Sequence, residues 1–150
     1  MLNVVPYLNF QGNAEEAMLF YRSVFGGEFT SFQRFSQSPG FEKMPKEEQG
    51  KMMHVSLPLG NNHVLMATDL LDSMEQKLIV GNNLYISILT ESEEETDRLF
   101  HALREGGKIE MPVNKTFWGA YFGICTDKFG VQWMLSYEAP KNPVQEKTNL

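Results

Sequence analysis

The sequence predicts an α+β chain built from two βαβββ modules. Three observations predict it. The order strand, helix, strand, strand, strand can be read twice along the 150 residues. The two rounds line up at a fixed spacing: Leu19-Phe20 and Leu99-Phe100 stand 80 residues apart, and so do Gly26-Gly27 and Gly106-Gly107. An apolar content of 42% is that of a globular chain, and a domain of this length buries roughly two thirds of its unfolded surface.

The first round begins with residues 3–10 (NVVPYLNF), apolar and β-branched, where Pro6 points to an edge strand or a bulge. A helix follows. Asn13 is placed to cap it, with Glu16 three residues on completing a capping box. Ala17, Phe20, Tyr21, Val24 and Phe25 recur at helical spacing, and Gly26-Gly27 ends the run. Strands are predicted at 28–35, 51–59 and 63–69, the last two joined by a Gly60-Asn61-Asn62 turn.

The second round begins with a strand at 84–90. Ser92 and Glu95 form a capping box, and Glu93, Glu94 and Glu95 sit where the helix dipole favours carboxylates. Thr96, Leu99, Phe100 and Leu103 make the apolar stripe, which Gly106-Gly107 closes. Strands are predicted at 108–113, 120–126 and 131–137, with Asp127-Lys128-Phe129-Gly130 turning between the last two. Past the second strand of each round, Leu65-Met66 align with Trp133-Met134, and the spacing falls from 80 to 68. The difference is an insertion in the first module, for which Gln37 to Gln49 is the candidate. The chain thus reads as one domain over residues 1–138, with modules at about 1–72 and 82–138. Residues 139–150 are a polar tail with two prolines, expected to be loosely held.

Composition narrows the function classes. A net charge of −6 with scattered Lys and Arg argues against a nucleic-acid partner. No run of 18 apolar residues is present to span a membrane, and the N-terminus lacks the charged and apolar regions of a secretory signal. A single cysteine, Cys125, excludes an internal disulfide and suits a reducing, cytoplasmic setting.

Particular residues carry a resemblance. They are Pro6-Tyr7-Leu8, Phe10, Ala14, Glu16-Ala17, Phe20-Tyr21, Phe25-Gly26-Gly27, His54, Asp69, Gly106-Gly107 and Met111-Pro112. With them come Thr116-Phe117-Trp118-Gly119 and Asp127-Lys128-Phe129-Gly130-Val131-Gln132-Trp133. Over about Pro6 to Tyr137 the chain resembles the PhnB-like branch of the vicinal-oxygen-chelate superfamily. That superfamily includes glyoxalase I, bleomycin- and fosfomycin-resistance proteins and extradiol dioxygenases. Such proteins often carry the inherited label of a demethylubiquinone methyltransferase, yet no glycine-rich nucleotide loop follows a strand here.

The resemblance implies a glyoxalase/bleomycin-resistance-like fold, in which each module's sheet forms half of a cup that receives ligands. In metal-dependent branches the ligands come from the first and last strands of each module. Those places fall here near Val5 or Pro6, Met66, Leu84 or Tyr85, and Met134, none of them a ligand for a hard divalent ion. No metal and no cofactor are therefore expected.

Several single residues admit a plainer role beside a functional one. With the turn centred near Asn61, His54 should pair close to Ala67, about 13 Å along the strands from His63, too far to share a metal. His54 is the candidate catalytic base, against the bland and favoured reading of a hydrogen-bonded strand histidine. His101 reads as a solvated helix residue, and the glutamates at 91 and 93–95 as a solvated face. Asp69 fits a loop-capping carboxylate better than a base, and Cys125 an inert buried thiol. Phe41 and Met44 of the insertion either close over the cup or pack on the sheet edge. Trp133, of opposite strand parity to Met134, reads as core. The expected ligand wall is Tyr7, Met66, Tyr85, Trp118, Tyr121 and Met134, with His54 at its polar end.

Three functions follow as expectations. The first is a small-molecule binding protein of the resistance or sequestration kind. The second is an enzyme, with metal at shifted ligands or with His54 as base. The third is a purely structural dimerisation module. A homodimer is expected in each case, because such modules leave sheet edges open.

Overall fold

The computed structural model describes residues 1–140; the expected polar tail lies largely outside the described residues. The chain forms two compact units, one over Met1–Gly81 and one starting at Asn82.

In the first unit, strand β1 (Tyr7–Phe10) is followed by helix α1 (Ala14–Phe25) and strand β2 (Ser31–Arg34). Two 3-10 turns (Phe35–Gln37, Phe41–Lys43) and the short helix α2 (Lys46–Gln49) then lead to β3 (Met52–Pro58) and β4 (Val64–Asp69). The sheet order is β1-β4-β3-β2, with β1 parallel to β4 and the other pairs antiparallel. β1 is an edge, as Pro6 suggested. Pro6 has no N–H to give, but its carbonyl accepts from Met66 N at 3.1 Å and opens the ladder. The strand itself begins only at Tyr7, and β2 only at Ser31, later than the apolar runs suggested.

The core of this unit lies between α1 and one face of the sheet. Ala14, Ala17, Met18, Tyr21 and Val24 are buried on the helix, and Val55, Leu57, Leu65 and Ala67 on the strands are fully buried. The helix is turned slightly from the expected stripe: Met18 takes a core place, and Phe20 is only half-buried. Its expected capping box does not form, since Asn13 makes no side-chain cap. Asp69, at the end of β4, replaces it. One carboxylate oxygen accepts from Gly12 N and Ala14 N, both at 2.9 Å, and the other from Met52 N at 2.8 Å. Pairing of Phe10 with Asp69 brings this carboxylate beneath the helix start, where an anion outdoes a neutral amide as acceptor.

In the second unit, β5 (Ile86–Leu89) precedes α3 (Glu93–Leu103), and β6 (Lys108–Lys115), β7 (Ala120–Thr126) and β8 (Gln132–Glu138) follow. The order β5-β8-β7-β6, with β5 parallel to β8, repeats the first sheet. Here Ser92 caps as read, its Oγ accepting from Glu95 N at 3.0 Å, while the Glu95 carboxylate accepts from Glu91 N, one residue before the cap, at 3.0 Å. Thr96, Leu99, Phe100 and Leu103 meet Cys125, Trp133 and Leu135, all buried. Gly107 and Gly123 permit close packing. A Cβ on Gly107 would lie 2.1 Å from Thr126 O, and one on Gly123 would meet Val113 at 2.7 Å and Phe100 at 3.0 Å.

The strand registers carry the same repeat. Tyr7 pairs with Met66 and Ser87 with Met134; Ser31 pairs with Ser56 and Met111 with Ile124. The first members of these pairs are 80 residues apart and the second members 68. The insertion therefore lies between β2 and β3, where the first unit has its 3-10 turns and α2. It is not a featureless loop. Glu48 is buried and accepts from Ser73 N at 3.1 Å and from the Ser73 hydroxyl.

Candidate functional site

Strand alternation gives each sheet a helix face and an opposite face. In the first unit Leu65, Ala67, Val55 and Leu57 point to α1, so the residues between them point away. Tyr7, Met66, Ser56 and Ser31 form one cross-strand row on that away-facing side. Val55 faces Ala67, which sets His54 opposite Thr68, one place from the expected pairing. The turn is the one read from the sequence: Leu59 N donates to His63 O, Asn62 takes the left-handed backbone, and a loop centred on Asn61 itself pairs 54 with 68.

His54 thus shares a face with Tyr7 and Met66. The Tyr7 hydroxyl and His54 Nδ1 make a hydrogen bond of 2.9 Å, with the rings 5.7 Å apart. The bond reaches over β4, so β1 and β3 are joined by side chains as well as through their common neighbour. Partial burial raises the Tyr7 phenol above its ordinary value. With Nδ1 engaged, Nε2 is the histidine nitrogen left to meet a ligand.

In the second unit the equivalent row is Ser87, Met134, Ile124 and Met111, on the side away from α3. Tyr85 lies two residues before Ser87, and its hydroxyl donates to Glu110 Oε2 at 2.8 Å. Thr126 Oγ1 donates to the other oxygen at 2.6 Å. These bonds, Thr126 first, hold the Glu110 carboxyl below the usual range, while Glu110 pushes the Tyr85 phenol up. Trp118 sits in the turn before β7, more than half exposed, with its ring 5.0 Å from Phe117 and 6.0 Å from Phe122. Phe122 has the parity of Ile124, so Trp118 borders the Met134 face.

Tyr121 is set apart from the other expected wall residues. It pairs with Tyr137 and faces α3, where its hydroxyl donates to Asp97 Oδ1 at 2.7 Å. That bond pushes the phenol up to about 12. Tyr121 lines a pocket of about 210 Å3 on this helix side, together with Glu93, Lys115 and Tyr137.

The remaining candidates take plain roles. Trp133 is fully buried and donates its indole N–H to Asp127 Oδ2 at 2.8 Å. Burial pushes the Cys125 thiol up to about 12, which leaves it protonated and unreactive. His63 is exposed in its turn, and His101 is exposed beside Arg104. Glu110 was missed in the sequence. The one available signal was an acidic residue inside a predicted strand; it sits where the β6–β7 register shifts, between Ile109 and Met111.

A divalent metal does not fit the places where the superfamily would hold one. The places that the resemblance assigned, Val5 or Pro6, Met66, Leu84 or Tyr85, and Met134, include neither a carboxylate nor an imidazole, the groups such an ion needs. Among the described residues, no group of three or more His, Cys, Asp or Glu could hold a metal ion. Nor is any described helix long and apolar enough to cross a membrane.

Comparison with known proteins then decides the family. A family model described as 3-demethylubiquinone-9 3-methyltransferase matches residues 2–136. The chain belongs to this family. A solved PhnB-like relative, described as a putative 3-demethylubiquinone-9 3-methyltransferase, PhnB protein, from Bacillus cereus, is 31% identical with a TM-score of 0.72. The match covers 91% of this chain and 99% of that one. Protein PA1353 from Pseudomonas aeruginosa is 39% identical with a TM-score of 0.81, covering 92% of this chain and 98% of its own. Protein YjdN of Escherichia coli (strain K12) is 30% identical over 139 residues, 87% of this chain and 92% of that protein. The fold reaches further: a glyoxalase-related enzyme from Fulvimarina pelagi, 18% identical, superposes with a TM-score of 0.56 over 95% of this chain and 91% of its own. The PhnB-like sheets thus have the α+β, glyoxalase-like architecture that the element order implied.

Proposed function

We propose that this PhnB-like chain binds a small, largely apolar organic molecule, without a metal, on the sheet faces turned away from the helices. The observation that carries the reading is the Tyr7–His54 hydrogen bond beside Met66. It sets a fixed polar pair next to an adaptable thioether on a half-open surface, which is how small-molecule sites combine orientation with tolerance of shape. Tyr85 with Glu110, Met134 and Trp118 offer the same mixture in the second unit. We take the protein to act as a homodimer in the cytoplasm. Its single cysteine and its open strand edges support that setting.

The family's name speaks of methyl transfer. The sequence offers no glycine-rich nucleotide loop for it, and binding is the better-supported reading. A second reading is favoured by the same Tyr7–His54 bond: an enzyme in which Nε2 of His54 removes a proton from a bound substrate.

Native mass spectrometry of the full chain with a metabolite extract tests the first reading, followed by tryptophan fluorescence with whatever is retained. Binding should quench Trp118, while Trp133, buried and bonded to Asp127, stays as a constant background. Trp118→Phe should remove the quench and change affinity by about 1 kcal/mol. No retained mass and no quench would refute binding. Elemental analysis showing a metal retained in stoichiometric amount after dialysis would refute the metal-free site. His54→Ala separates the two readings: a binder loses the orienting bond to Tyr7 and holds its ligand more weakly, whereas an enzyme loses turnover even where ligand still saturates it.

A further inference from the structure

The pocket on the helix side of the second sheet belongs to neither reading above. Three neighbouring strands bring Lys115, Tyr121 and Tyr137 into one row, because Lys115 pairs with Tyr121 and Tyr121 with Tyr137. The first turns of α3 lie across this row and bring Glu93 to Lys115 and Asp97 to Tyr121. The pocket is open on one side and holds about 210 Å3, smaller than the pockets that take drug-sized ligands.

We propose that this pocket is a second site, built for a small zwitterion, an α-amino acid with an aromatic or aliphatic side chain. Lys115 Nζ and Glu93 Oε1 stand 3.6 Å apart, with 77% and 43% of their side chains exposed. So open a pair contributes little and separates at little cost. A ligand carrying both an ammonium and a carboxylate satisfies each partner as the pair opens. A ligand with one charge leaves the other partner unpaired, so the pair selects for zwitterions. The two phenol rings supply the wall for the side chain. Tyr121 is held in place by its bond to Asp97, so that wall is set before the ligand arrives. Gly119 keeps the turn side clear, since a Cβ there would meet nothing within 4 Å.

The test is an amide-resolved NMR titration of the full chain with three probes: L-phenylalanine, phenylethylamine, which lacks the carboxylate, and 3-phenylpropionate, which lacks the ammonium. Phenylalanine should give saturable shifts centred on Thr116, Gly119, Tyr121 and Tyr137. Each single-charge analogue should bind about fivefold more weakly, the upper end for a screened ion pair. Lys115→Met and Glu93→Gln, both exposed and tolerant positions, should each cost phenylalanine the same factor. Equal binding of the three probes would overturn the zwitterion assignment. Shifts centred on Tyr7 and His54, or on Tyr85 and Met134, would overturn the second site and favour the face proposed above. No saturable shift with phenylalanine up to its solubility limit would overturn the proposal, whatever becomes of binding on the other face.

Discussion

Asp69 ties three parts of the first unit together with one carboxylate. It accepts from the loop before α1, from the helix start and from the first residue of β3. It is 3% exposed, so water cannot stand in for it. Asp69→Asn keeps the shape but turns one acceptor into a donor, which then faces an N–H. That change should lower stability by about 1–3 kcal/mol, the cost of leaving a buried donor unpaired. Urea denaturation of the variant and the parent reads the difference, and equal midpoints would show that the carboxylate is not the cap. The sequence revealed Asp69 as a capping type of residue at a strand end. It could not reveal which helix it caps, and Asn13, in the ordinary position for the task, looked the better candidate. Local spacing ranks acceptors by position along the chain, whereas hydrogen bonding ranks them by distance and charge in space.

At the scale of elements, the two units differ by the insertion between β2 and β3. The second unit makes the same connection, β6 to β7, with the short turn at residues 116–119. The insertion makes its own small cluster of 3-10 turns around α2 and is fastened by Glu48 to Ser73. It is therefore an addition to a complete sheet. Deleting Gln37 to Glu48 should leave the β1-β4-β3-β2 ladder in place. Far-UV circular dichroism and a dispersed amide spectrum would check this, and an unfolded first unit would show that the insertion is part of the core. The spacing drop from 80 to 68 was legible in sequence because strand registers repeat with it. The starts of β1 and β2 were not, since the predicted runs begin before the first laddered residue. An edge strand ends where its partner stops offering hydrogen bonds.

For the molecule as a whole, each sheet has two edge strands: β1 and β2 in one, β5 and β6 in the other. β6 is an exposed eight-residue edge on which Ile109 and Met111 show nearly half their surface. Long edges of this kind are commonly covered by association. The homodimer proposed above should appear by light scattering at micromolar concentration, with a melting temperature that rises with protein concentration. Met111→Lys, which sets a charge on this edge, should weaken the association without unfolding the chain. A monomer mass for the parent would sink the proposal.

The sequence by itself determined the element order, the duplication and the place of the insertion. Each of these is carried by spacing along the chain. Only the tertiary structure decided which side chains meet: Tyr7 with His54, Tyr85 with Glu110, and Tyr121 with Asp97 on the opposite face from Met134. The physical reason is the twofold alternation of strands. Turn length and bulges set the register, and a slip of one residue sends a side chain to the other side of the sheet.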